Sequence, residues 1–158
     1  ATTGRKGEGR RVINSLYIKA DILEKMNDLR QEKYKKICEK EVMFDEYMTE
    51  DAEIVFVAYG MTSRIVRSTV SMMRQEGIKA GLIRPITIWP FPDDAIAKIA
   101  SESSVKQFIA VEMSCGQMVE DVKLAVNGAK PVAFYGRNGG MVPVPKEIAE
   151  FTKKLMGI

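Results

Sequence analysis

At 158 residues, 46% apolar and 28% charged, the chain has the size and composition of one globular domain with an appendage, enough to bury about 70% of its unfolded surface. Its 24 basic and 21 acidic side chains are interspersed over the whole length, which excludes a nucleic-acid-binding stripe. Apolar runs such as Ile54 to Tyr59 are too short to span a bilayer, and the charged N-terminus lacks the apolar core of a signal peptide; a cytoplasmic protein with no membrane partner is expected.

The chain opens on Arg5, Lys6, Arg10 and Arg11 set among Gly4, Gly7 and Gly9, with Glu8 interrupting and no aromatic between them, which reads as a flexible, solvated segment. Ile18, Ile22, Met26, Leu29, Tyr34 and Ile37 then recur at helical spacing, with charged residues mostly on the other face. This pattern predicts an amphipathic helix over about 18–40. Its apolar stripe has no partner nearby in sequence, so it packs either on the following domain or on another chain. Residues 1–50 are read as a connecting segment carrying this helical arm, and 51–158 as the folded domain.

After Thr49-Glu50-Asp51 strands alternate with helices. Ile54 to Tyr59 is a near-continuous apolar run ending at Gly60, as expected for a strand covered on both faces. Thr62 or Ser63 is placed to cap the next helix, whose stripe is Ile65, Val66, Val70 and Met73 and whose stop is Gly77. A second strand over about 80–84 runs into Pro85-Ile86-Thr87-Ile88-Trp89-Pro90-Phe91-Pro92, and Asp93 or Asp94 opens a helix through Ile96 and Ile99. A third strand, 107–112, leads through Gly116 into a helix bearing Met118, Val119, Val122 and Val126. A fourth, 132–135, ends at Gly136, and Pro145 starts the last helix in its first turn. Four strand-then-helix units argue for a three-layer α/β/α fold, an open, mostly parallel sheet with helices on both faces.

In such a sheet ligands sit outside the carboxyl ends of the strands, which directs attention to the loops after Tyr59, Arg84, Glu112 and Tyr135. The prolines of 85–92 stiffen the chain and hold Trp89 and Phe91, which either close over this domain's own core or dock on a neighbouring one. Gly60 to Arg64 offers backbone donors at a helix start but lacks both Gly-x-Gly-x-x-Gly and the Lys-Ser/Thr ending of a phosphate loop. Glu112 reads as a general base, a helix-cap partner, or half of an ion pair with Arg84 or Arg137; with no second catalytic group beside it, the cap or pair is favoured. Cys115 stands close to a helix start, where a thiol can become reactive, but the chain has no histidine to activate it, and a buried or bystander thiol is the favoured reading. The absence of histidine also removes the commonest metal ligand and general base, and Cys38 and Cys115 form no metal-binding pair. Arg137 and Asn138, in a loop running from Gly136 to Pro145, make either a structural turn or a contact with a ligand or another domain.

The ordered set Val57-Ala58-Tyr59-Gly60, Arg84 to Pro92, Val111-Glu112-Met113 with Gly116-Gln117, and Tyr135 to Gly140 resembles the C-terminal part of the α-type subunit of 2-oxoacid:ferredoxin oxidoreductases, nearest to the 2-ketoisovalerate and 2-oxoglutarate members. The stretch around Gly4 and Val12 to Leu16 also looks like that family's interdomain connection. The resemblance implies a transketolase C-terminal-like domain within an assembly that oxidatively decarboxylates a 2-oxoacid, forms the acyl-CoA and reduces ferredoxin. The complete enzyme would use thiamine diphosphate, magnesium, iron–sulfur clusters and coenzyme A. The chain has no Gly-Asp-Gly thiamine motif and no cysteine cluster, so it is expected to be an excised domain that holds none of these and has no catalytic residue of its own. Its expected partners are the thiamine-fold domain of the same polypeptide and the other oxidoreductase subunits, met through Trp89, Phe91, Glu112, Gln117, Arg137 and Asn138. The alternative is a free-standing α/β module that binds a small anion in the same crevice.

Overall fold

Two apolar strands set the architecture. Ile54–Val57 (β2) and Gln107–Glu112 (β4) are buried along their whole length, which requires cover on both faces. The structure, a computed structural model, describes residues 15–158; the basic glycine-rich segment and Val12 of the connection lie outside the described residues. The chain divides into two compact units, one ending at Lys36 and the other Ile37–Ile158. In the first begins α1, Ala20–Lys40, none of whose residues is buried, so the predicted stripe through Ile22, Leu29 and Tyr34 is exposed.

In the second unit β1 (Phe44–Tyr47), β2, α2 (Gly60–Gln75), β3 (Ala80–Pro85), α3 (Asp93–Ser101), β4, α4 (Met118–Val126), β5 (Val132–Gly136) and α5 (Pro145–Met156) follow in order. The sheet runs β1-β3-β2-β4-β5, and only the β1–β3 pairing is antiparallel. Alternate residues of the central strands feed two cores. Val55, Val57, Phe108 and Ala110 pack with Ile96 and Ile99 of α3 and Val119 and Val122 of α4. Ile54, Phe56, Ile109 and Val111 pack with Val66, Val70 and Met73 of α2 and Ile148 of α5. This is the expected three-layer α/β/α arrangement.

The sheet has five strands, not the four read from the sequence. Phe44-Asp45-Glu46-Tyr47 lacks an apolar alternation because it is an exposed edge strand, held by its ladder to β3 and by Arg84, which donates to Asp45 Oδ2 at 3.1 Å. A second correction concerns α2. Neither Thr62 nor Ser63 is its N-cap: the helix starts at Gly60, whose φ of +56° turns the chain sharply out of β2, and Ser63 Oγ donates back to the Gly60 carbonyl at 2.7 Å. Arg74, near the end of α2, donates to the carbonyls of Ala80 and Met48 and to Asp51, tying the helix to the amino end of β3 and the turn before β2.

Candidate functional site

All four parallel strands point their carboxyl ends at one end of the sheet, so the loops after β2, β3, β4 and β5 gather there. Adjacent strands β2 and β4 send their following helices to opposite faces, α2 into one core and α4 into the other, and the crevice of the sheet opens between them.

The loop after β3 divides its two aromatics. Phe91 is 9% exposed and belongs to the core with Ile83 and Ile96, whereas Trp89 is 57% exposed. The loop is anchored at its base: the Ile86 and Thr87 amides donate to the Met43 carbonyl, the Met43 amide donates to Thr87 Oγ1 at 3.0 Å, and Thr87 Oγ1 donates to the Pro90 carbonyl at 2.9 Å. The Trp89–Pro90 peptide is cis. Closure over this domain's own core therefore holds for Phe91, while Trp89 faces outward.

Glu112 is 1% exposed at the end of β4, and its carboxylate is fully engaged. It accepts from the amides of Gln117 at 3.1 Å, Met118 at 3.0 Å and Val119 at 2.9 Å, and from Ser114 Oγ at 3.0 Å. Those amides are the otherwise unpaired donors of the first turn of α4, where the helix dipole also favours an anion. Of the three readings of Glu112, the helix cap is the one its geometry supports. The ion pairs are corrected: Arg84 pairs with Asp45, and the Arg137 guanidinium lies 3.9 Å from Glu147. With its oxygens taken by four donors, Glu112 has no free acceptor for a substrate proton.

The loops after β4 and β5 are joined. The Arg137 amide donates to the Glu112 carbonyl at 3.1 Å, and Asn138 Nδ2 donates to Cys115 Sγ at 3.1 Å. Cys115 is exposed, which sets aside the buried alternative for its thiol and leaves the bystander one. Gly136 sits where these loops cross: a Cβ there would stand 2.6 Å from the Ser114 carbonyl oxygen and overlap the Phe134 ring. Arg137 Nε is buried without a hydrogen-bond partner among the described residues. Beneath it Tyr135 donates to Glu147 Oε2 at 3.1 Å, and burial, then that carboxylate, push its hydroxyl above the usual phenol range.

The structure thus brings Glu112, Gln117, Arg137 and Asn138 together at the β4–β5 side of the carboxyl end, with Trp89 on the β3 loop at the same end of the sheet. Sequence reasoning missed the Asn138–Cys115 link and the tie from Met43 to Thr87, because both join segments distant along the chain. Among the described residues no three His, Cys, Asp or Glu side chains converge on a point that would hold a metal, and no helix is long and apolar enough to cross a membrane.

A family model described as pyruvate:ferredoxin oxidoreductase core domain II matches residues 52–148. The ketoisovalerate oxidoreductase subunit VorB of Methanothermobacter thermautotrophicus is 42% identical over 157 residues, 99% of this chain and 44% of that subunit. The 2-oxoglutarate synthase subunit KorA of Methanothermobacter marburgensis is 40% identical over 110 residues, 70% of this chain and 28% of that subunit. Among solved structures, 2-oxoglutarate:ferredoxin oxidoreductase from Magnetococcus marinus, with 2-oxoglutarate, coenzyme A and succinyl-CoA bound, superposes with a TM-score of 0.72 over 87% of this chain and 24% of that one. At 21% identity that likeness is one of fold. The chain spans less than half the length of these curated relatives.

Proposed function

This chain belongs to the pyruvate:ferredoxin oxidoreductase core domain II family, and we propose that it is a docking domain of the α-type subunit of a 2-oxoacid:ferredoxin oxidoreductase. In this reading the carboxyl-end loops, led by Trp89, Gln117, Arg137 and Asn138, seat the domain against the thiamine-fold domain of the same polypeptide or a neighbouring subunit. The complete enzyme oxidatively decarboxylates a 2-oxoacid such as 2-ketoisovalerate to the acyl-CoA and passes two electrons to ferredoxin. The substrate assignment is supported by the relationship to the ketoisovalerate subunit along 99% of the chain.

One observation carries the docking role. Tyr59, Met61, Ile86, Ile88, Trp89, Met113, Met141, Val142 and Val144 are exposed large apolar side chains; Met61 lies in the first turn of α2, and the other eight lie on loops following the carboxyl ends of parallel strands. Exposed apolar side chains gathered at one end of a fold mark an interaction surface, with Trp and Met among the residue types enriched at such interfaces.

The side chains of the described residues do not fit magnesium or an iron–sulfur cluster. The two cysteines are both free, and among the described residues there is no convergent set of carboxylate, thiol or imidazole ligands. The domain contributes position: a shift of about 1 Å at a reacting centre costs on the order of a hundredfold in rate. Trp89→Ala introduced into the complete enzyme is expected to weaken assembly or thiamine diphosphate affinity. Parent activity and an unchanged elution profile in that variant would refute the docking role.

A further inference from the structure

A cavity of about 200 Å³ lies between the first turns of α2 and the β1–β3 edge of the sheet, lined by Asp45, Tyr47, Ser63, Arg64, Arg67 and Arg84 among others. The register explains the convergence. Asp45 pairs with Arg84 and Tyr47 with Leu82, so these alternate positions share one face, and Leu82 places that face against the α2 layer. Ser63 and Arg64 each lie about one turn before Arg67 on α2.

Three guanidinium groups therefore line one small cavity with a single carboxylate, a surplus of two positive charges. Each arginine is in a different state. Arg67 stacks its guanidinium 4.1 Å from the centroid of the Tyr47 ring, an attraction to the ring face that leaves its N–H edge available. Tyr47 is steadied in turn by a 3.2 Å hydrogen bond between its hydroxyl and Ser71 Oγ. Arg84 spends one donor on Asp45 and keeps the rest. The Arg64 guanidinium has no hydrogen bond or ion pair among the described residues. Like charges gathered in this way repel, and an anion between them relieves the repulsion while accepting from the planar guanidinium forks.

We propose that this cavity binds the dianionic phosphate group of a small-molecule ligand. A phosphate monoester carries about −1.5 to −2 charges at neutral pH and matches the surplus, whereas one carboxylate would leave it half compensated. The volume is below the roughly 300–1,000 Å³ of sites that enclose a whole drug-sized ligand, so the phosphate enters and the remainder of the molecule stays outside. The inference does not rest on the docking role, because none of the exposed apolar loop residues lines the cavity.

The test is calorimetric titration of the 158-residue chain with inorganic phosphate, at constant ionic strength held with chloride, with parallel titrations by malonate. A single saturable phosphate site is expected, weakened at least tenfold by Arg64→Gln and by Arg67→Gln. Lys98→Gln, which removes the same charge from α3, is expected to leave it unchanged. Arg64 is exposed, and matching circular-dichroism melts would show that its replacement keeps the fold. No saturable phosphate binding, equal weakening by Lys98→Gln, or tighter binding of malonate than of phosphate would each overturn the proposal.

Discussion

Replacing Glu112 separates a capping carboxylate from a merely buried one. In Glu112→Gln the side chain keeps its length but only one acceptor oxygen. Placed at the Oε2 position, that oxygen still serves Ser114 Oγ and the amides of Gln117 and Met118, while the Val119 amide faces an NH2 group. One buried donor left unpaired costs about 1–3 kcal/mol. Glu112→Ala strands all three amides in the first turn of α4, and even at the lower figure for each the loss is about 3 kcal/mol. At this chain length each kcal/mol moves the melting temperature by about 2–4 °C, so the two variants should melt in clearly separated steps below the parent. Urea unfolding at neutral pH, followed by far-ultraviolet circular dichroism, gives the free energies, and equal slopes for the three proteins would validate the comparison. A Glu112→Gln chain as stable as the parent, or a loss under 1 kcal/mol in Glu112→Ala, would refute the cap.

Three further outcomes follow from the same structure. Phe91→Ala should cost the isolated chain about 3–5 kcal/mol as a core cavity, while Trp89→Ala should cost under about 1 kcal/mol, because one ring is buried and the other exposed; both are read by urea unfolding. Gly136→Ala should destabilise by at least about 1–3 kcal/mol through the clash with the Ser114 carbonyl and the Phe134 ring, and differential scanning calorimetry would detect it. The Arg74 guanidinium holds the Asp51 carboxyl below the usual carboxylate range, and Lys106 does the same for Glu53. A carboxyl whose folded pKa is depressed contributes stability above its unfolded pKa and loses it as pH falls through the folded value. Acidification from about pH 5 to pH 3 should therefore destabilise the parent more steeply than Asp51→Asn, as measured by melting temperature against pH.

What could be read directly from the sequence follows from burial. Ile54 to Val57 and Gln107 to Glu112 announce themselves because strands covered on both faces must be apolar at every position, and α2 and α4 because each buries one stripe. β1 does not, since a four-residue edge strand exposed to solvent carries no pattern of its own and exists through its pairing with β3. The proline segment gave no indication of which aromatic would turn inward, because successive prolines impose stiffness but no periodicity. Glu112 was legible as an anion beside a helix start; its four donors depend on the turn through Ser114 and Gly116, which spacing alone does not define. The arginine cavity was out of reach for the same reason as β1: Asp45 and Tyr47 meet Arg64 and Arg67 only once the edge strand is in register.

The docking role is tested most directly by hydroxyl-radical footprinting of the complete oxidoreductase beside this 158-residue chain alone. Met61, Trp89, Met113 and Met141 are exposed in the chain and should become protected in the complete enzyme, while Leu124 on the outer face of α4 serves as the reference for unprotected labelling. Equal labelling of those four residues in both samples would leave the carboxyl end of the sheet open to solvent in the enzyme and contradict the account.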